Sequence, residues 1–164
     1  MATDVVMREP KLDDTETLVE IALAAWEPIY ASYRQMMGDD LFTAVIPDWR
    51  AEKGRQIREM CQPGSRMTVA VAEVAGQIVG FVSFYADQSR GVGVIGNNAV
   101  HPAWQNRGIA QAMYAHVFAQ LRQHGMRAVR VNTGGDPSHA PARRAYEKAG
   151  FAVGIPCVDY YRKL

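Results

Sequence analysis

Apolar and polar positions along the chain follow two periods, and the changes between them mark its elements. Val5-Val6-Met7 is a short apolar run that predicts a first strand. Leu18, Ile21, Ala22 and Ala25 recur at helical spacing behind Asp13 and Asp14, either of which suits a helix cap. Pro28 predicts an interruption or a kink in that helix, and Gly38-Asp39-Asp40 a turn. Asp48 is placed to cap an amphipathic helix from Trp49 to about Cys61, with Ile57 and Met60 on its apolar stripe; Gln62-Pro63-Gly64-Ser65 stops it.

From Met67 the period becomes two. Val69 and Val71 alternate with Thr68, Ala70 and Ala72, and Ala75-Gly76-Gln77 is a tight turn before a partner strand from Ile78 to Tyr85. A loop from Asp87 to Gly91 leads to a third strand, Val92 to Val100. Gly93 and Gly96 lie inside it, where glycine marks a bulge or a close approach. The longest helix is expected from about Gln105 to His124, with Ile109, Met113, Val117 and Leu121 as its stripe and Gly125 as its stop. A buried strand over Ala128–Asn132, a loop over Thr133–Pro137 and a helix over Ala140–Ala149, capped by Ser138 and ended by Gly150, complete the α/β alternation. Phe151–Val153 and Val158–Tyr161 are read as final strands.

The order β-α-α-(α)-β-β-β-α-β-α-β-β, without repeat or linker, predicts one domain over residues 1–164. Its 164 residues suffice for one core. A net charge of +1 speaks against a nucleic-acid protein that relies on bulk electrostatics. Cys61 and Cys157 form no C-x-x-C pair, so neither a zinc site nor a disulfide framework is expected, and no metal. The first ten residues do not read as a signal peptide and no apolar run has membrane-spanning length, so the expected location is the cytoplasm.

The densest chemical signal is Val100-His101-Pro102-Ala103-Trp104-Gln105-Asn106-Arg107-Gly108-Ile109-Ala110. Gln105, Gly108 and Ala110 give the spacing Q-x-x-G-x-A where a helix is expected to open. Helix openings carry unpartnered N–H groups and partial positive charge. Small residues let a bulky anion approach that backbone, and Arg107 adds a full charge, so the run suits a phosphate or diphosphate. This run resembles the acetyl-CoA-binding motif of the GNAT acetyltransferase superfamily, Q/R-x-x-G-x-G/A after a strand ending in V-x-P. A second resemblance is Ala142, Tyr146, Lys148, Gly150 and Phe151, which match the family's closing A-x-x-x-Y-x-K-x-G-F. Together with the element order, the resemblance covers Val5 to Leu164.

The resemblance implies a GNAT fold: a mixed, mostly antiparallel sheet with helices on both faces and splayed strands at the cofactor site. It further implies acetyl-CoA as co-substrate and an amine as acceptor. Asn98, Ala99, Val100, Gln105, Asn106, Arg107, Gly108, Ile109, Ala110 and His139 become candidate cofactor contacts, with a backbone N–H of Ala99 or Val100 as an oxyanion donor. Tyr146 becomes the general acid for the departing thiolate. His139 stands where the family usually has Asn.

The family often carries a Glu on the strand before V-x-P, but Val94-Ile95-Gly96-Asn97-Asn98 holds no carboxylate. Glu27, Asp136, His101 or a water relay through Asn97 are the candidate bases. The acceptor site is expected between the early helices and the final strands, with Trp26, Glu27, Tyr30, Asn97 and Asp136 as binding candidates and Tyr33, Tyr160 and Tyr161 as further aromatics. Exposed final strands would suit a homodimer. A non-catalytic acyl-CoA sensor on the same fold is the competing class.

Overall fold

The computed structural model describes residues 4–164 as a five-stranded sheet with helices against both faces. Strand β1 (Val6–Arg8) leads through a 3-10 turn at Leu12–Asp14 into helix α1 (Thr15–Met37). Helices α2 (Asp39–Val45) and α3 (Trp49–Met60) precede strands β2 (Thr68–Val74), β3 (Gln77–Asp87) and β4 (Val92–Val100). A 3-10 turn at Pro102–Trp104 and a loop then open helix α4 (Ile109–Gln123). Strand β5 (Ala128–Val131), a 3-10 turn at Pro137–His139 and helix α5 (Ala140–Lys148) follow. Strand order equals chain order, and every pair is antiparallel except β4 with β5. This is the expected fold class.

Strand alternation sorts the core into two layers. Val69, Val71, Phe81 and Ala99 pack with Leu18, Ile21, Ala22 and Ile57 of α1 and α3. Ala70, Ala72, Val82, Phe84 and Ile95 pack with Met113, Val117 and Leu121 of α4. Burial on both faces explains why β2 and β3 show few polar positions.

One irregularity shapes the site. Val82 pairs with Asn98 and Phe84 with Ile95, so Gly96 and Asn97 together oppose Ser83. Ser83 Oγ donates to the Asn97 carbonyl at 3.0 Å. A Cβ on Gly96 would lie 2.6 Å from Met67 Cε and 2.8 Å from Ser83 Oγ, which is why this bulge takes glycine. The extra residue bends the strand. Pairing of β4 with β5 accordingly ends at Ile95 and Val131, while β4 runs on to Val100. A gap opens between the two strands beyond that point.

Several expected boundaries move. The long helix begins at Ile109, not Gln105, because Asn106 (φ 62°) and Gly108 (φ 80°) are left-handed and cannot be helical. Pro28 does not interrupt α1, whose preceding turns are anchored by buried Leu18, Val19, Ile21 and Ala22. Neither Asp13 nor Asp14 caps α1 with its side chain; Asp14 instead accepts from the Lys11 N–H and pairs with Arg8. Of the turn at 38–40, only Gly38 is a break, and Asp39 opens α2. Asp48 does cap α3, accepting from the Ala51 N–H at 3.0 Å. Asp136, not Ser138, caps the turn before α5.

The predicted strands at 151–153 and 158–161 do not form; residues 152–164 are exposed and irregular. Gly154 and Pro156 fall between their apolar residues, one without a side chain to pack and the other without an N–H to donate. β5 is therefore the sheet edge, with Ala128 and Arg130 exposed, and not the buried strand expected. No helix among the described residues is long and apolar enough to cross a membrane.

Candidate active site

The loop before α4 is an anion cradle by geometry. No backbone N–H from Asn106 through Gln111 has an acceptor among the described residues. Left-handed residues at 106 and 108, alternating with ordinary ones, turn successive N–H groups toward one side, a concavity that holds anions. Nothing lies within 4 Å of a Cβ at Gly108, so the approach is open. Two sequence candidates serve the loop itself. Gln105 Nε2 donates to the Val100 carbonyl at 3.2 Å, tying the loop to the end of β4. Arg107 lies over the Trp104 ring and donates to the Ala103 carbonyl at 3.1 Å.

The gap between β4 and β5 continues from this cradle. The His101 N–H donates to the Val79 carbonyl at 2.8 Å, which fixes the hydrogen-bonding phase of β4 against β3. In that phase Asn98 and Val100 present their N–H groups to the gap, and Ala99 turns its own to β3. Of the two candidate oxyanion donors, only Val100 faces the gap. Ala99 is instead a core residue of the α1 and α3 layer.

Tyr146 reaches the gap from α5. Its side chain is buried against Phe151 and Tyr114, with ring centroids 5.8 and 5.4 Å away. Asn98 Nδ2 donates to the Tyr146 hydroxyl at 3.1 Å and to the Gly96 carbonyl at 3.1 Å. The Tyr114 hydroxyl donates to Asn98 Oδ1 at 2.9 Å. Burial raises the Tyr146 pKa, against the opposing pull of its hydrogen bonds with Asn98 and Tyr114. The phenol thus keeps its proton at neutral pH, and its oxygen already accepts from Asn98.

The opposite face of the gap is lined from α1. Trp26, Tyr30 and Tyr33 lie one turn apart along that helix. Tyr30 stacks on Trp49 at 4.4 Å, and Tyr33 meets the ring of His139 at 5.9 Å. Lys53 of α3 is buried there. Its ammonium lies 4.4 Å from the Trp26 ring centroid, 2.9 Å from Gln56 Oε1 and 3.2 Å from Asn97 Oδ1. Burial pushes its pKa down to about 8. An open cleft of about 310 Å³, lined by Gln56, Met67, Gly96 and Asn97 among others, adjoins the bulge.

The structure thus brings Asn98, Val100 and Tyr146 together at one gap; Asn97 and Trp26 meet at Lys53, and Tyr33 links Tyr30 to the His139–Asp136 pair. Glu27 is exposed and ion-paired with Arg50. His101 Nδ1 accepts from the Ala103 N–H at 3.2 Å. Tyr160, at 93 % exposure, joins no cluster, and Tyr161 is also exposed. Lys53 and Tyr114 were missed from the sequence. Both had a signal: Lys53 lies midway between Trp49 and Ile57 on an apolar stripe, and Tyr114 puts a hydroxyl beside Met113 in α4, which at 15 residues is shorter than the 23-residue α1 and so not the longest helix expected. Among the described residues no three His, Cys, Asp or Glu side chains converge on a metal site.

Solved structures agree with this architecture. An N-acetyltransferase, PaiA, from Thermoplasma acidophilum in complex with coenzyme A superposes with TM-score 0.71 at 17 % identity, over 92 % of this chain and 91 % of that one. Aminoglycoside N-acetyltransferase AAC(6')-Iy in complex with CoA gives 0.65 at 18 %, over 99 % and 97 %. The aminoglycoside acetyltransferase meta-AAC0020 from an uncultured soil metagenomic sample, in complex with sisomicin, gives 0.60 at 18 %, over 98 % and 96 %. No curated protein matches the chain. Residues 25–151 match the model of the acetyltransferase (GNAT) family. The chain belongs to the GNAT acetyltransferase family.

Proposed function

We propose that this protein, acting as a single domain, transfers an acetyl group from acetyl-CoA to a primary amine of a small molecule or peptide, by direct attack within a ternary complex. The observation that carries the reading is Tyr146: a buried phenol at the gap, oriented by Asn98, with its proton retained. Bound acetyl-CoA supplies a thioester-activated acetyl group. The N–H groups of residues 106–111 hold its diphosphate, as their free donors and left-handed turns suit. Asn98 and Val100 extend toward its pantetheine arm as an unpaired strand edge, and the Val100 N–H stabilises the thioester oxygen as charge develops. Tyr146 gives its proton to the departing sulfur.

Attack comes from the α1 face, where Trp26, Tyr30 and Asn97 form the acceptor wall. A small amine acceptor is supported by the family and by the two aminoglycoside acetyltransferases that share the fold. The direct test follows free thiol release from acetyl-CoA with a panel of amines. Tyr146→Phe is expected to retain acetyl-CoA affinity and lose about 10²–10⁴ in turnover. Saturable acetyl-CoA binding with no thiol release on a broad panel would favour a sensor instead.

A further inference from the structure

We propose that His139, oriented by Asp136, is the group that takes the proton from the acceptor amine. The inference rests on the acetyltransferase reading and supplies the base that β4 lacks, since Val92–Val100 carries no carboxylate.

His139 Nδ1 lies 2.5 Å from Asp136 Oδ1, with the two side chains only 12 % and 13 % exposed. The other carboxylate oxygen, Oδ2, accepts from the Ser138 N–H at 3.0 Å and from the Ser138 hydroxyl. Burial raises the Asp136 pKa, but the hydrogen bonds from Ser138 and His139 outweigh it and hold the carboxyl below its usual range. Both Asp136 oxygens are thus occupied, which suits a positioning residue and not a base. The loop is built around the pair. Arg143 donates to the carbonyls of Gly134 at 2.6 Å and Asp136 at 2.8 Å, and a Cβ at Gly134 would overlap both Asp136 Oδ1 and His139 Nδ1.

A carboxylate at Nδ1 selects the tautomer with Nδ1–H and a bare Nε2. Nε2 has no partner among the described residues. No fully buried side-chain nitrogen or oxygen there lacks one, so Nε2 keeps some accessible surface. His139 directly precedes α5, seven residues and so about two turns before Tyr146, which places both on one side of that helix. The groups facing it are Asp136, Ser138 and, from α1, Tyr33; Asp159 and Tyr161 lie near Tyr33. The other candidate side chains are committed: Glu27 pairs with Arg50, His101 Nδ1 accepts from the Ala103 N–H and so leaves the ring proton on Nε2, and Asn97 Oδ1 accepts from the Lys53 ammonium.

The proton balance closes with these groups. The ammonium of the acceptor gives one proton to His139 Nε2, which passes it to solvent. The freed lone pair forms the C–N bond to the acetyl carbon as the C–S bond breaks. Sulfur takes the Tyr146 proton, and the second nitrogen proton returns through water to Tyr146.

The test compares wild type, His139→Asn and Asp136→Asn in the intact protein. Asparagine keeps a hydrogen-bonding side chain at 139 but cannot accept a proton. At pH 7, His139→Asn should lose about 10²–10³ in kcat/KM for an alkylamine, with acetyl-CoA affinity retained within a few-fold. The loss should fall below about threefold for an arylamine already neutral at pH 7, and should shrink as pH approaches the alkylamine pKa. Asp136→Asn should lose less and alter the pH profile. A loss equal for both amines and at every pH would overturn the assignment and leave His139 as a cofactor contact. A readout free of turnover is the ¹⁵N spectrum of His139: a bare Nε2 supports the proposal, and an Nε2–H tautomer overturns it. Wild type inactive on every amine would instead overturn the transferase reading, and the proposal with it.

Discussion

Lys53 offers the sharpest quantitative test of this structure. It is 6 % exposed, its ammonium has only the neutral acceptors Gln56 and Asn97 and the face of Trp26, and it makes no ion pair among the described residues. Desolvation lowers its pKa from 10.5 to about 8, against a small opposing pull from Glu52. At pH 7 the side chain is protonated in both native and unfolded chains, and the native state bears the desolvation cost. As pH rises through 8, the native chain releases the proton while the unfolded chain holds it until 10.5, so stability rises with pH. At about 1.36 kcal/mol per pH unit the full window is worth about 3 kcal/mol, of which about 2 kcal/mol falls between pH 7 and 9.5. Lys53→Met removes the titration and keeps most of the packing. Its loss of two hydrogen-bond donations is an offset of about 1–3 kcal/mol that does not vary with pH. Urea unfolding of both proteins at pH 7, 8.5 and 9.5, at constant ionic strength, reads the difference. The stability of Lys53→Met relative to wild type should fall by about 2 kcal/mol across that range. The phenols that burial holds at raised pKa, Tyr114 and Tyr146 among them, contribute equally to both and cancel. A difference constant within about 0.5 kcal/mol would refute the buried, depressed ammonium.

Three further outcomes follow from the geometry. Gly108→Ala meets no neighbour but forces a side chain into φ 80°, so it should cost about 1 kcal/mol in thermal unfolding and weaken acetyl-CoA binding in calorimetry; unchanged affinity would remove the cradle. Tyr114→Phe deprives Asn98 Oδ1 of its 2.9 Å donor, and should lower stability by about 1–3 kcal/mol and turnover through a less ordered Tyr146, with acetyl-CoA affinity preserved. Gly96→Ala drives a Cβ into Met67 and Ser83, and should destabilise the protein by about 1–3 kcal/mol in denaturant melts.

Local chemistry made much of this protein legible in its sequence. Strand and helix periods located β2, β3, β4 and α3 to within a residue or two, because each buries apolar faces that impose the period. The Q-x-x-G-x-A run and the Tyr146 motif carried the family, since both depend on contiguous residues. Tertiary structure decided what distant residues do together. The bulge at Gly96 and Asn97 opens the gap only because Ser83 lies across from it. Asn98 serves Tyr146, 48 residues away in sequence, with its side chain because α5 packs beside α4. The end of the chain shows the converse. Val158–Tyr161 has strand composition, yet strand pairing needs an adjacent edge and enough burial to offset ordering, and neither is readable from the segment itself.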